Sequence, residues 1–200
     1  TNISYEISLP FDLPSDGKEK IVELKNEMVQ SDYRYFAFPG KYQEAFLSAD
    51  VVDWEKLDLL AGESGIIFEE TYLGKTSIDP SQFKDTLNFT LGKDRRVVIK
   101  KDKVQDKSRT RTLGSNKEQS ISFDINIRNN KPEAIKITVK DQIPVSMQKD
   151  IEVTLTESSK ADYDKQTGIL TWELTLQPGE VKSLNLSYTI KHPKDKMINM

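Results

Sequence analysis

From Ile121 to Ile190 apolar side chains return at every second position, and that period constrains the fold more than any other feature of the chain. Ile121, Phe123, Ile125 and Ile127 alternate with Ser122, Asp124 and Asn126, and the pattern recurs in "AIKITVKD", "DIEVTLTE", "ILTWELTL" and "SLNLSYTI". Successive side chains of an extended chain point to opposite faces, so each run covers a core with one face and meets water with the other. Turn signals stand between the runs: Asn129-Asn130, Ile143-Pro144, Thr167-Gly168 and Pro178-Gly179. Short strands at spacings of roughly 8 to 15 residues, separated by such turns, mark a β-sandwich. They predict an immunoglobulin-like module over residues 113–200, with the polar stretch "LGSNKEQ" (113–119) as its boundary.

Upstream the signal is more mixed. "NISYEISLP" places Ile3, Tyr5, Ile7 and Leu9 on one strand face, after which Pro10, Pro14 and Asp16-Gly17 turn the chain. "KEKIVELKNEMVQ" fits a strand or a helix and is taken as a strand. "SDYRYFAFPG" alternates Tyr33, Tyr35 and Ala37 against Arg34, Phe36 and Phe38. "YQEAFLSADVVDWEKLDLLAG" has good helix formers and is the best helix candidate, although Val51-Val52 argues for a strand. "GIIFEETYLGKTSI" reads as two strands turning at Leu73-Gly74, and Leu87, Phe89 and Leu91 as a strand that turns at Gly92, Lys93 and Asp94. The expectation is an all-β chain with little helix, built from two packed β-sandwich-like modules, residues 1–112 and 113–200.

With 200 residues, 36% hydrophobic, the chain suffices for one large or two small cores. It contains no apolar run near the roughly 20 residues that cross a bilayer as a helix, and it starts at Thr1 without a basic-then-apolar leader, as a mature or trimmed piece of a longer protein would. The lack of cysteine removes disulfides, thiolate metal sites and cysteine nucleophiles. The single histidine, His192, reads as a partly exposed residue at a strand end, and one histidine cannot build a multi-histidine zinc site.

Four stretches invite a chemical reading. Counting from Asp162, oxygen donors Asp162, Asp164 and Gln166 and the acid Glu173 match part of a helix-loop-helix calcium loop. However, Thr167 holds the place of the required glycine, and the strand-like run after Gly168 carries Glu173 roughly 16 Å away at about 3.3 Å per residue. A hairpin loop ending at Thr167-Gly168 is expected instead, with no metal. Asp50, Asp53 and Glu55, or Glu69 and Glu70, are acids of the kind that glycosidases pair, but among 32 acids sequence selects no pair. Residues 93–111 carry 9 basic and 3 acidic side chains against a net charge of -3 for the chain. No aromatic side chain there offers a base-stacking surface, so the charges read as outward, edge-guarding positions and no nucleic-acid partner is expected. Trp54, Trp172, Tyr33, Tyr35, Phe36 and Phe38 are candidates for a sugar platform, with core packing the plainer role. Three glycosylation acceptor patterns, at Asn2, Asn88 and Asn185, all fall in expected strands and are taken as chance.

"TYLGKTSID", "LNFTLGKDRRVVIKK", "IRNNKPEAIKITVKDQIPVSMQKDIEV" and "YDKQTGILTWELTLQPGEVKSLNLSYTIKHPKD" together resemble the C-terminal domain of unknown function of the mucoidy-inhibitor-A-like bacterial proteins. The resemblance is strongest from Asn129 to Asp195 and looser over residues 1–69. It implies a bacterial cell envelope, periplasmic or secreted, a further coiled-coil region in the whole protein, and a link to exopolysaccharide. It carries over no catalytic, cofactor or metal residues. Its recurring positions, Gly92, Asp94, Pro144, Gly168, Trp172, Pro178 and Gly179, are those that turns and a sandwich core require. The functional expectation is a non-enzymatic binding or structural module with a protein or cell-surface glycan partner. The alternative is a carbohydrate-active hydrolase using an Asp/Glu pair in residues 1–112.

Overall fold

The computed structural model describes residues 15–18, 26–68, 70–82 and 86–196. The strand expected over residues 3–9 lies outside them, as does most of the stretch after Lys18; its described part, residues 26–30, is exposed and without regular structure, so no strand forms there. The described chain is all-β with little helix. Twelve strands follow in order: β1 (Ser31–Ala37), β2 (Glu44–Val52), β3 (Gly62–Phe68), β4 (Thr71–Ile78), β5 (Thr86–Lys103), β6 (Arg109–Leu113), β7 (Asn116–Asn129), β8 (Ile135–Gln142), β9 (Glu152–Glu157), β10 (Asp162–Tyr163), β11 (Ile169–Leu176) and β12 (Val181–Pro193). Among the described residues, helical structure is confined to three short 3₁₀ turns, and none of them is long and apolar enough to cross a membrane.

Each alternating run of the C-terminal half becomes a strand. In β7, Ile121, Ile125 and Ile127 are buried while Arg128 is exposed; in β11, Leu170, Trp172 and Leu176 are buried. The helix expected over residues 42–62 is instead β2 followed by a 3₁₀ turn at Trp54–Leu57. Ala45, Leu47, Ala49 and Val51 of β2 point into the core, and pairing on both sides of the strand overrides the high helical propensity of Ala, Glu and Leu. The expected turns at Gly74 and Gly92 are also bulges rather than turns. Gly74, at φ +142°, sits within β4 opposite a register shift in β3, and the chain reverses at Glu70, at φ +62°. Gly92, at φ +114°, accompanies a shift between Leu47 and Ser48 of β2, and β5 runs on through it. A glycine inside a strand often marks such a bulge.

Ten strands form one open sheet in the order β10-β11-β8-β1-β2-β5-β7-β12-β9, with β6 pairing β7 beyond the end of β5; β3 and β4 form a separate hairpin. All neighbours are antiparallel except β1 and β8, which are parallel. The expected boundary near residue 113 falls at the β6–β7 turn, and hydrogen bonding is continuous across it, since β1 pairs β8 and β5 pairs β7. Residues from both ends of the sheet, such as Ile137 and Leu170 on one side and Ile125 and Leu186 on the other, share one buried cluster. The sheet has therefore folded over a common core. Each such side chain contributes about 1.5–3 kcal/mol of burial.

The β7–β8 turn is pinned from inside. Asn129 is fully buried, and its amide donates to the carbonyls of Glu133 at 2.9 Å and Gln177 at 3.1 Å while its oxygen accepts the Lys131 N–H at 3.0 Å. A buried amide with these partners fixes the loop that carries Lys131 and Glu133.

Candidate functional site

The parallel strands β1 and β8 stay together only over residues 35–37 and 137–139. Upstream of that junction they separate, and a cleft of about 530 Å³ opens between them. One wall is β1 from Asp32 to Tyr35, the other is the turn into β8 with Lys131, Glu133, Ile135 and Lys136, and Phe68 from the β3–β4 hairpin lies alongside. Tyr33 and Phe68 meet with ring centroids 6.3 Å apart. Tyr33 is 56% exposed, so this aromatic pair is open to a ligand.

Beneath it runs a chain of matched charges. The Lys131 ammonium donates to Tyr35 Oη at 2.7 Å and pairs with Glu133 Oε1 at 2.6 Å. Tyr35 Oη in turn donates to Asp94 Oδ2 at 2.9 Å, and Asp94 accepts from the Arg96 backbone N–H at 2.9 Å and from its guanidinium, Nε and Nη2, at 3.0 Å each. Lys131 and Asp94 side chains are only 10% and 9% exposed. Burial pushes the Asp94 carboxyl up, but the Arg96 side chain and backbone and the Tyr35 hydroxyl outweigh it and hold the pKa at about 2. Burial also opposes the charge on Lys131, yet its bonds to Glu133 and Tyr35 raise its pKa, and the same lysine lowers that of Glu133. Burial, foremost, raises Tyr35. Near neutral pH the two acids are ionised, the lysine is charged and the tyrosine keeps its proton. A general acid or base needs a pKa near the working pH, and these four groups are held away from it. The network makes a rigid polar floor.

The residues singled out in the sequence are scattered. In the loop after Asp162, Asp164 Oδ1 accepts the Gln166 N–H at 2.8 Å and Oδ2 accepts the Thr167 hydroxyl at 2.7 Å; those bonds lower its pKa. Asp162 lies in β10 opposite Thr171, and Glu173 lies in β11, where its carboxylate accepts the Thr138 hydroxyl at 2.9 and 3.0 Å. The expected β10–β11 hairpin is present, and among the described residues no group of three or more His, Asp or Glu is placed to hold a metal. Asp50 pairs with Arg34 and Asp53 with Lys56, while Glu55 sits on the 3₁₀ turn; Glu70 occupies the hairpin turn and Glu69 lies outside the described residues.

In the basic stretch, Lys93, Arg96 and Lys100 pair with Glu44, Asp94 and Asp102, and Lys101 turns inward to Asp141 at 2.7 Å, over the Phe123 ring at 4.4 Å. The aromatics separate: Tyr35, Trp54 and Trp172 are buried, Tyr33 lines the cleft, and Phe36 and Phe38 are partly open on the other face of β1 and just beyond it. His192 is 3% exposed, a correction to the partly exposed end residue that was expected. Strand β12 continues past it to Pro193, and its ring bonds the Pro193 carbonyl at 2.8 Å from Nδ1 and approaches Gln119 Nε2 at 3.4 Å from Nε2. Asn88 donates to Asp50 and Asn185 to Asp124, both within paired strands; Asn2 lies outside the described residues.

Of the cleft's residues, Tyr33 and Tyr35 stood among the aromatic candidates, whereas the charged groups that engage Tyr35 were not singled out as a site. Asp94 read as part of a turn and Lys131 was not singled out, because Tyr35 and Asp94 lie 59 residues apart and only the register of β1, β2 and β5 brings them together.

Two comparisons bear on identity. Protein F37C4.5 of Caenorhabditis elegans is 22% identical over 213 residues, an alignment that covers 99% of this chain and 38% of the worm protein; the chain thus spans well under half the length of the curated relative it matches. A family model described as a domain of unknown function, DUF4139, matches residues 1–194. With nearly the whole chain inside that match, including both walls of the cleft, the protein belongs to the DUF4139 family.

Proposed function

We propose that this domain is a non-enzymatic binding module whose ligand or partner occupies the cleft between β1 and the β7–β8 turn. The observation that carries the reading is the chain of charges from Arg96 through Asp94, Tyr35 and Lys131 to Glu133, in which each group is engaged with the next and none of the ionisable groups with a resolved shift is tuned toward proton transfer. The open aromatic pair Tyr33 and Phe68 above that floor supplies contact area. The hydrolase alternative finds less support, because Asp50 and Asp53, two of the acids it would draw on, are held in ion pairs. The resemblance to the mucoidy-inhibitor-A-like proteins supports a place in a bacterial cell envelope. The arrangement of β7-β12-β9 and β8-β11-β10 around a shared core supports an immunoglobulin-like reading of residues 113–200.

The test is a thermal-melt screen of the chain and of Phe68→Ala against envelope glycans and extended peptides. A ligand at about a hundred times its dissociation constant adds roughly 2.7 kcal/mol, a shift of about 5–10 °C for a chain of this size. The expected result is such a shift in the parent chain that shrinks or disappears in Phe68→Ala. A shift indifferent to Phe68, or turnover of a glycan that an Asp or Glu substitution abolishes, would contradict the reading.

A further inference from the structure

The cleft has an unusual origin, because it is a seam within a sheet. Strand β1 is paired with β2 from Ser31 to Phe36, but its pairing with β8 covers only residues 35–37. Strand β8 is likewise paired with β11 from Ile135 onward, but with β1 only from Ile137 to Val139. In an extended strand successive N–H and C=O groups point alternately to the two sides. Residues 32–34 of β1 and residues 135 and 136 of β8 therefore turn part of their backbone toward the cleft, and among the described residues no strand pairs with them on that side. Two strand edges facing one gap call for another backbone, since only a polypeptide repeats donors and acceptors at strand spacing.

We propose that the cleft takes an extended peptide segment of a partner protein, which adds as a short strand at the seam between β1 and β8. This rests on the binding-module reading above and names the partner's chemistry. The side chains lining the seam set a pattern for that segment. Tyr33, Tyr35 and Ile135 belong to the core-facing side of their strands, with Phe68 beside Tyr33, whereas Asp32, Arg34 and Lys136 alternate with them on the outer side. A bound strand alternates likewise, with apolar side chains turned inward against the aromatic pair and charged or polar ones turned outward between the acid and the two bases.

The experiment selects binders from a displayed heptapeptide library on the intact chain, with Phe68→Ala as counter-selection, and then replaces each backbone N–H of the tightest peptide by N-methyl in turn. The expected result is a run of sensitive positions: N-methylation weakens binding roughly tenfold or more at each consecutive residue that lies between the two edges, because the peptide's N–H groups point alternately to β1 and β8 and each is a paired donor there, while positions beyond that stretch tolerate it. Selected sequences should themselves alternate apolar and charged residues. Peptides that bind the cleft and tolerate N-methylation throughout would overturn strand addition and leave the binding-module reading standing. Failure of the library combined with a Phe68-dependent melting shift by a glycan would overturn the peptide as occupant and again spare that reading. Failure of both ligand classes at the cleft would overturn both.

Discussion

Gly168→Ala is expected to destabilise the protein by about 3 kcal/mol, lowering the melting temperature by about 10 °C. Two effects combine. The residue has φ +76°, a left-handed conformation that costs an L side chain roughly 1–2 kcal/mol. In addition, an added Cβ would stand 2.3 Å from the Ile143 carbonyl oxygen and 2.8 Å from Val145 Cγ2. The first of these is backbone, and it cannot swing aside. Gly168 also ties the β10–β11 loop to the end of β8, since its N–H donates to the Asp164 carbonyl at 2.8 Å and its own carbonyl accepts the Ile143 N–H at 3.0 Å. Gly179 supplies the control, with φ +74° and nothing within 4 Å of an added Cβ; Gly179→Ala should cost only about 1 kcal/mol. Chemical denaturation of the two variants measures the difference, and equal losses would show that close approach to Ile143 is not what position 168 requires.

The second large effect is a loss of stability in acid that Asp94 controls. Its folded pKa of about 2 lies below the ordinary 3.8, so folding favours the carboxylate. That contribution is complete above about pH 4, falls as pH drops toward 2, and is gone below it; from the size of the shift it amounts to about 2 kcal/mol. Asp94→Asn should therefore be less stable than the parent by about that amount at pH 7, and the two should converge as pH approaches 2. Urea unfolding at pH 7, 4, 3 and 2 reads the gap directly. A gap that stays constant across that range would mean that the Arg96 and Tyr35 contacts do not stabilise the charged form.

How much of this was legible in the residues follows from what each element needs. Antiparallel strands with one wet face imprint a period of two, so β7, β8, β9, β11 and β12 stood out from their alternation alone. Strand β2 did not, because Glu44, Ala45 and Leu47 are good helix formers, and their inward alternation acquires meaning only between β1 and β5. Glycine is ambiguous by nature: Gly74 and Gly92 need positive φ, which serves a bulge as well as a turn. The core role of Trp172 was legible from its place in an alternating run. The cleft was not, because it depends on where two parallel strands part, and a one-residue change of register would turn Tyr35 from Asp94 to the opposite face.

The central claim is that the seam between β1 and β8 is where this domain binds. Amide chemical-shift mapping of the labelled chain, titrated with the tightest ligand from the melt panel, tests it most directly. The account predicts the largest changes at residues 32–35, at Lys131 and residues 133–136, and at Phe68, with the outer strands β9 and β10 unmoved. Changes concentrated on β9, on β10 or on the exposed basic residues around Arg109, with the seam silent, would contradict it.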